Sequence, residues 1–195
     1  MRGLLPSLAA VALTVAALST TVSNVRAETR PIDVEHSTLT VFVYKSGLFS
    51  ALADNHVIGA PIASGSMAEE SPLAIDVTVH SGDLRVLDNG LSSDRRAEVQ
   101  ARMLGSEVLD VAKFPDITFA STAVEPAGAD HWKVTGRLTI HGQAHVIMFS
   151  VVRANGRYRG EVVIRQRDFG IEPIKVAGGA VKVKDELRVQ FEIVR

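Results

Sequence analysis

Period-two alternation of apolar and polar residues is the feature that most constrains what this chain can fold into. Ile75, Val77 and Val79 alternate with Asp76, Thr78 and His80. Trp132, Val134, Gly136, Leu138 and Ile140 alternate with Lys133, Thr135, Arg137 and Thr139. Tyr158, Gly160, Val162 and Ile164 repeat the pattern, as do Leu187, Val189, Phe191 and Ile193. Successive side chains of a strand point to opposite faces, so each segment has one dry face and one wet face, the habit of antiparallel sheets. Thr38–Tyr44 and Val146–Val152 are apolar on nearly both faces. They are expected where something covers the outside of the sheet, and for Val146–Val152 a homodimer interface is one such cover.

Turn signals separate these runs at hairpin spacing. Asn155-Gly156 is the strongest, because both residues tolerate positive φ. Ala127-Gly128-Ala129-Asp130, His141-Gly142 and Gly178-Gly179 are the others. From about residue 115 to 194 the chain therefore reads as an up-and-down meander. The interval from Ser92 to Val111 breaks the alternation. Ser92 or Ser93 can cap a helix with Asp94 in its first turn. Ala97, Ala101 and Leu104, with Val99 and Met103 alongside, make an apolar stripe at helical spacing. Gly105 ends that helix, Ser106 can cap a short second one through Glu107–Asp110, and Pro115 starts the next strand. The expected fold is all-β: an antiparallel barrel of about eight strands with a helical insertion at about 92–111. A barrel leaves no sheet edge exposed, and at this size its interior either fills with side chains or holds one small ligand. A two-sheet sandwich would satisfy the same pattern.

The N-terminal 27 residues carry a different signal. Arg2 precedes an almost wholly apolar stretch, Leu4 to Leu18, and small and polar residues lead to Val25-Arg26-Ala27. That order marks a secretory signal peptide. The expectation is cleavage near Ala27, a single domain over 28–195, and a periplasmic or secreted location. Without Arg2 and Arg26 the balance is 19 basic against 22 acidic residues, a net charge near −3. There is no basic run to follow a nucleic-acid backbone, and no second apolar stretch long enough for stable membrane insertion. The chain has no cysteine. Thiol chemistry, cysteine-ligated metals and c-type haem attachment are excluded, and stability must come from the core alone.

No specific catalytic motif is present: no G-x-S-x-G, no H-E-x-x-H, and no phosphate-binding glycine loop ahead of a helix. Most histidines stand alone. His141 and His145 on one strand face would be roughly 13 Å apart, too far to share a metal. His56 differs. It follows a lipophilic stretch and the pair Asp54-Asn55, and Asp54 could orient its imidazole as in a metal-ligand or base histidine. A metal- or haem-binding protein, or an enzyme using His56, is thus an alternative to a binding protein without catalysis. Arg165 and Arg167 could meet an anionic headgroup at a barrel mouth.

Four blocks of sequence, in order, resemble the YceI-like family of exported lipid-binding (polyisoprenoid-binding) proteins. They are Ile32-Asp33-Val34-Glu35-His36-Ser37, the stretch from Asp110 through Phe114-Pro115 to Thr122, Val134-Thr135-Gly136-Arg137-Leu138-Thr139-Ile140-His141-Gly142, and Arg167-Asp168-Phe169-Gly170-Ile171. The resemblance covers essentially all of 31–195. It departs from the family pattern after the first strand, at Asp54-Asn55-His56. It implies a lipocalin-like barrel with a helix over one end, and an apolar tunnel holding an isoprenoid or similar long-chain lipid for transport, storage or sequestration. No cofactor other than such a lipid is expected. Phe42, Phe49, Leu52, His56, Met103, Phe119, Leu138, Ile140, Phe149 and Phe169 are the residues expected to contact it.

Overall fold

The first strand sets the architecture by changing partners partway along. A computed structural model describes residues 28–46, 55–71, 73–176 and 181–195. Residues 1–27, Phe49, Leu52, Asp54 and Gly178-Gly179 lie outside the described residues. The strands are β1 (Arg30–Pro31), β2 (Asp33–Ser46), β3 (His56–Gly59), β4 (Ser64–Ala68), β5 (Ala74–His80) and β6 (Arg85–Val86). After the helix α1 (Ser93–Leu104) come β7 (Asp116–Gly128), β8 (His131–Ile140), β9 (Gln143–Ala154), β10 (Arg157–Arg165), β11 (Lys175–Val176) and β12 (Val181–Val194).

All pairings are antiparallel, and every segment belongs to one sheet. β1 pairs with β4, whereas β2 pairs with β12 on one side and β3 on the other. β3 and β4 are two parts of one kinked strand, and so are β5 and β6: β3 lies on β6 while β4 lies on β5. With β7, β8, β9, β10 and β12, these three interrupted strands fill eight positions. The β12–β2 ladder closes the ring. The sheet has more segments than the sequence suggested because three strands are interrupted, at Ile32, at residues 60–63 and at the 3-10 turn Ser81–Asp83, where the chain turns the corners of the barrel.

The bend between β1 and β2 is made by the Ile32–Ser37 block. Asp33 Oδ1 accepts the His36 backbone N–H at 3.1 Å, and Oδ2 lies 2.7 Å from His36 Nδ1. Ser37 Oγ donates to Asp33 O at 2.6 Å and accepts the Val194 N–H at 2.9 Å. Ile32 is buried, and its N–H reaches Gly65 O at 3.1 Å. The block thus satisfies backbone groups where the strand leaves one neighbour for the other. The hydrogen bond from His36 holds the Asp33 carboxyl below its ordinary value.

The hairpins follow the turn residues. Asn155 and Gly156 have φ of 52° and 75°, and His141 and Gly142 have 51° and 72°, the two positive values a type I′ turn needs. In α1, Ser92 Oγ accepts the Arg95 N–H at 3.4 Å, and the Gly105 N–H closes the last turn on Ala101 O and Arg102 O. The apolar stripe differs from the expected one. Ala97 and Ala101 are exposed, and Val99, Met103 and Leu104 pack on the core. Residues 106–109 form turns rather than a second helix. The Asp110 N–H folds back on Gly105 O at 2.9 Å, and Asp110 itself has φ 43°, where a right-handed helix cannot continue.

The barrel interior splits into two halves. In its middle, Phe119, Phe149 and Phe191 form an aromatic layer with ring centroids 5.5 and 5.4 Å apart. The layer fits because two inward positions carry no side chain. A Cβ on Gly136 would lie 2.4 Å from Phe119, and one on Gly160 would lie 2.4 Å from Phe191. Below it, at the end holding β1 and Arg195, Trp132 and Tyr158 pack at 5.7 Å, with the Arg153 guanidinium 5.9 Å from the Trp132 ring centroid. Burial, then the Glu69 carboxylate bonded to its hydroxyl, pushes the Tyr158 phenol above 10.0.

Two outcomes test this account. Gly136→Ala is expected to lower stability by about 1–3 kcal/mol, the range for overpacking. Gly82→Ala, where a Cβ meets nothing within 4 Å, is expected to leave it within about 0.5 kcal/mol; urea midpoints compare the two. Because the folded pKa of Asp33 is depressed, its stabilisation is present above 3.8, the ordinary value, and is lost as pH falls through the depressed one. Asp33→Asn is therefore expected to be less stable at neutral pH but to lose less than the parent below about pH 4, read from melting curves across that range.

Candidate functional site

Above the aromatic layer the barrel is hollow. A cavity of about 440 Å³ lies beneath α1. Val41 and Val43 of β2, Ile58 of β3, Ile117 of β7, Ile140 of β8, Ile164 of β10 and Leu187 of β12 form its apolar walls. These are inward positions of the alternating strands. Val99 and Met103 form the roof, with Arg95 and Arg102 at the rim of the same helix face. The spacing 95, 99, 102, 103 is one side of an α-helix.

The roof is fastened to β6 through Gln100. Gln100 Nε2 donates to Leu84 O at 2.7 Å, and Gln100 Oε1 accepts the Val86 N–H at 2.8 Å. An amide side chain thereby occupies the free edge of β6 as a further strand would. After the helix, the Lys113 and Phe114 N–H groups both return to Asp110 O, and Ser81 Oγ donates to Phe114 O at 2.7 Å. The Phe114 ring lies 4.3 Å from the His141 imidazole and presses on Gly142, where a Cβ would sit 2.8 Å from it. The block around Phe114-Pro115 thus anchors the roof to the β8–β9 turn.

His56 supplies a polar group to the cavity wall. Its Nδ1 lies 2.6 Å from Asp88 Oδ2, and the other oxygen of that carboxylate accepts the Val57 N–H at 2.7 Å. The Asp88 side chain is only 8% exposed, so both of its oxygens are committed inside the protein. The residue that orients the imidazole is Asp88 rather than Asp54, which lies outside the described residues. With Nδ1 engaged, Nε2 is the nitrogen left for a partner. Gln166, also buried, lines the opposite wall and is fixed by its Nε2 donating to Lys184 O at 2.8 Å. Among the described residues, no group of three or more His, Asp or Glu side chains is placed to hold a metal ion.

The expected contact residues separate by position. His56, Met103, Ile140 and Phe169 line the cavity together. Phe119, Leu138 and Phe149 pack in the core, the two phenylalanines in the aromatic layer beneath it. Phe42 is a correction. It alternates with Val41 and Val43, faces outward, and lies beneath the Arg188 guanidinium at 4.7 Å. The two-sided apolarity of β2 hid which phase points in. Arg165 and Arg167 do not reach the cavity; Arg167 pairs with Asp185 at 3.6 Å and Glu172 at 3.4 Å, and Arg165 lies 3.9 Å from Glu186. Asp88 and Gln100 carried no local signal, because their partners are brought to them by the fold.

Comparison with known proteins gives a consistent result. A family model described as YceI-like domain matches residues 31–195. A UPF0312 protein of Pseudomonas fluorescens (strain SBW25) is 32% identical over 114 residues, which is 53% of this chain and 54% of that protein. A UPF0312 protein of Enterobacter sp. (strain 638) is 37% identical over 76 residues, 38% of this chain and 35% of that one. The chain thus spans about half or less of the length of these curated relatives. The crystal structure of Burkholderia cenocepacia BcnA superposes with a TM-score of 0.65 at 19% identity, covering 83% of this chain and 98% of BcnA, and so shares its fold. No helix among the described residues is long and apolar enough to cross a membrane. With a family model spanning the whole barrel and four sequence blocks lying at its closure, roof and cavity wall, the chain belongs to the YceI-like domain family.

Proposed function

We propose that this protein is an exported carrier that holds an isoprenoid or similar single-chain lipid in its barrel, and that it binds rather than catalyses. The observation that carries this reading is the roofed apolar cavity above the aromatic layer. Its volume of about 440 Å³ falls within the range of small-molecule sites, about 300–1,000 Å³. Apolar surface removed from water contributes about 25 cal/mol per Å², so aliphatic walls bind a chain without specific polar contacts. His56, held by Asp88, offers one hydrogen-bonding group to a hydroxyl or carbonyl at the lipid's head. The leader at 1–27 supports export to the periplasm or beyond.

A lipid longer than the cavity can extend into the barrel base only by displacing Phe119, Phe149 and Phe191. The layer therefore acts as a ruler for chain length.

Mass spectrometry of an organic extract of the purified protein is expected to find one class of single-chain lipid; an extract without lipid, from protein that also fails to take up added isoprenoid alcohol, overturns the reading. His56→Ala is expected to weaken uptake of that alcohol about threefold to tenfold, the worth of one hydrogen bond. Phe149→Ala is expected to cost about 3–5 kcal/mol of stability and to shift the extracted lipid toward longer chains. Phe149→Leu, milder in its effect on folding, is expected to give the same direction of change.

A further inference from the structure

The barrel wall has a seam, and the most exposed large apolar side chains among the described residues gather along it. β9 and β10 pair from Arg157–Ala154 only as far as Glu161–Ser150. Beyond that point both strands continue, each bonded on its other side: β9 to β8 as far as Gln143, and β10 to β12 as far as Arg165. The gap between them is filled from within by the turn after β10, where Phe169 sets its ring 5.2 Å from His145. Phe169 also lines the cavity, so its ring stands between the seam and the cavity.

On the outer surface, Val146 is 68% exposed, and Met148 and Val163 are each 55% exposed. Val146 and Met148 stand on the outward face of β9, and Val163 on the outward face of β10. Continuing the β9–β10 register places Val163 opposite Met148, across the gap. Apolar groups more than half exposed and clustered on one face mark a contact surface. The surrounding charge identifies what it contacts. On the outward faces of β8, β10 and β12, Arg159, Arg165 and Arg188 pair with Glu192, Glu186 and Glu161, and Lys133 and Arg137 add an excess of two positive charges. Arg137, which pairs in register with Val146, enters no ion pair among the described residues. This basic excess stands out on a chain whose net charge is −1. An apolar stripe rimmed by cations complements an anionic lipid surface, with the side chains entering the acyl boundary and the cations meeting phosphate groups.

We infer that the β9–β10 seam is a docking face for an anionic phospholipid bilayer, which brings the cavity to its lipid source through the wall beside Phe169. The docking stands on the outer surface alone; the purpose given to it rests on the lipid-carrier reading. Flotation of the purified, exported form with vesicles of phosphatidylethanolamine and phosphatidylglycerol tests it. Binding is expected, with little to phosphatidylcholine alone, and is expected to weaken as salt rises. Met148→Ser with Val163→Ser is expected to reduce it about tenfold, as is Arg137→Glu. Both variants change exposed side chains and are expected to keep the parent's melting temperature and its extracted lipid. An unchanged extract with lost flotation separates docking from ligand holding. Failure of the parent to float, flotation that the substitutions leave intact, or a dimer in light scattering that Met148→Ser dissolves would each overturn the proposal, the last by assigning the face to a second copy of the chain.

Discussion

Barrel closure is the constraint on which everything else depends. An eight-position sheet wide enough to enclose a cavity must satisfy its last edge, and here the first strand does so by bending. Asp33, His36 and Ser37 carry the chain from β4 to β12, and the Ser37 hydroxyl takes up the Val194 N–H where the ladder slips. Closure fixes which side chains of each alternating strand point inward. That in turn lines the upper half with aliphatic groups and brings Gly136 and Gly160 to face Phe119 and Phe191.

The same logic places the long connections. The links after β6, after β8 and after β10 all emerge at the end away from the termini, and the helix is laid over that opening. Its attachment through Gln100 substitutes side-chain amide bonds for a missing strand. Much of what the family-like blocks contain is accordingly structural. One bends the first strand, one anchors the roof through Phe114, and one ends β10 and brings Phe169 into the wall. The family-like blocks therefore account for the barrel more than for the aliphatic lining of its cavity.

How much was legible in the sequence follows from the range of the interactions. Strand alternation, the two Asn/His-Gly hairpins and the Ser92 cap are local, and the structure matches them. Phe42 was misplaced because β2 is apolar on both faces, so period-two reasoning had no phase to read. Ala97 and Ala101 were misjudged because small residues fit either side of a helix, and the helix orientation is set by Gln100 gripping β6. His56 was recognisable as unusual, but its partner Asp88 is 32 positions away in sequence and is brought to it by the β3–β6 pairing. The aromatic layer could have been anticipated from the glycines inside otherwise apolar strand faces, since an absent side chain across from phenylalanine leaves room for a ring.

That layer has an evolutionary consequence. Because the rings of Phe119, Phe149 and Phe191 partition the interior, the closed end around Trp132, Tyr158 and Glu69 can keep the barrel assembled while the open end changes. Substitutions at Val99 or Met103 reshape the roof of the cavity while leaving the contacts of the closed end in place. Divergence in such a barrel can fall on the lining of the open end while the base is retained, and shared sequence blocks record the architecture more faithfully than the cavity.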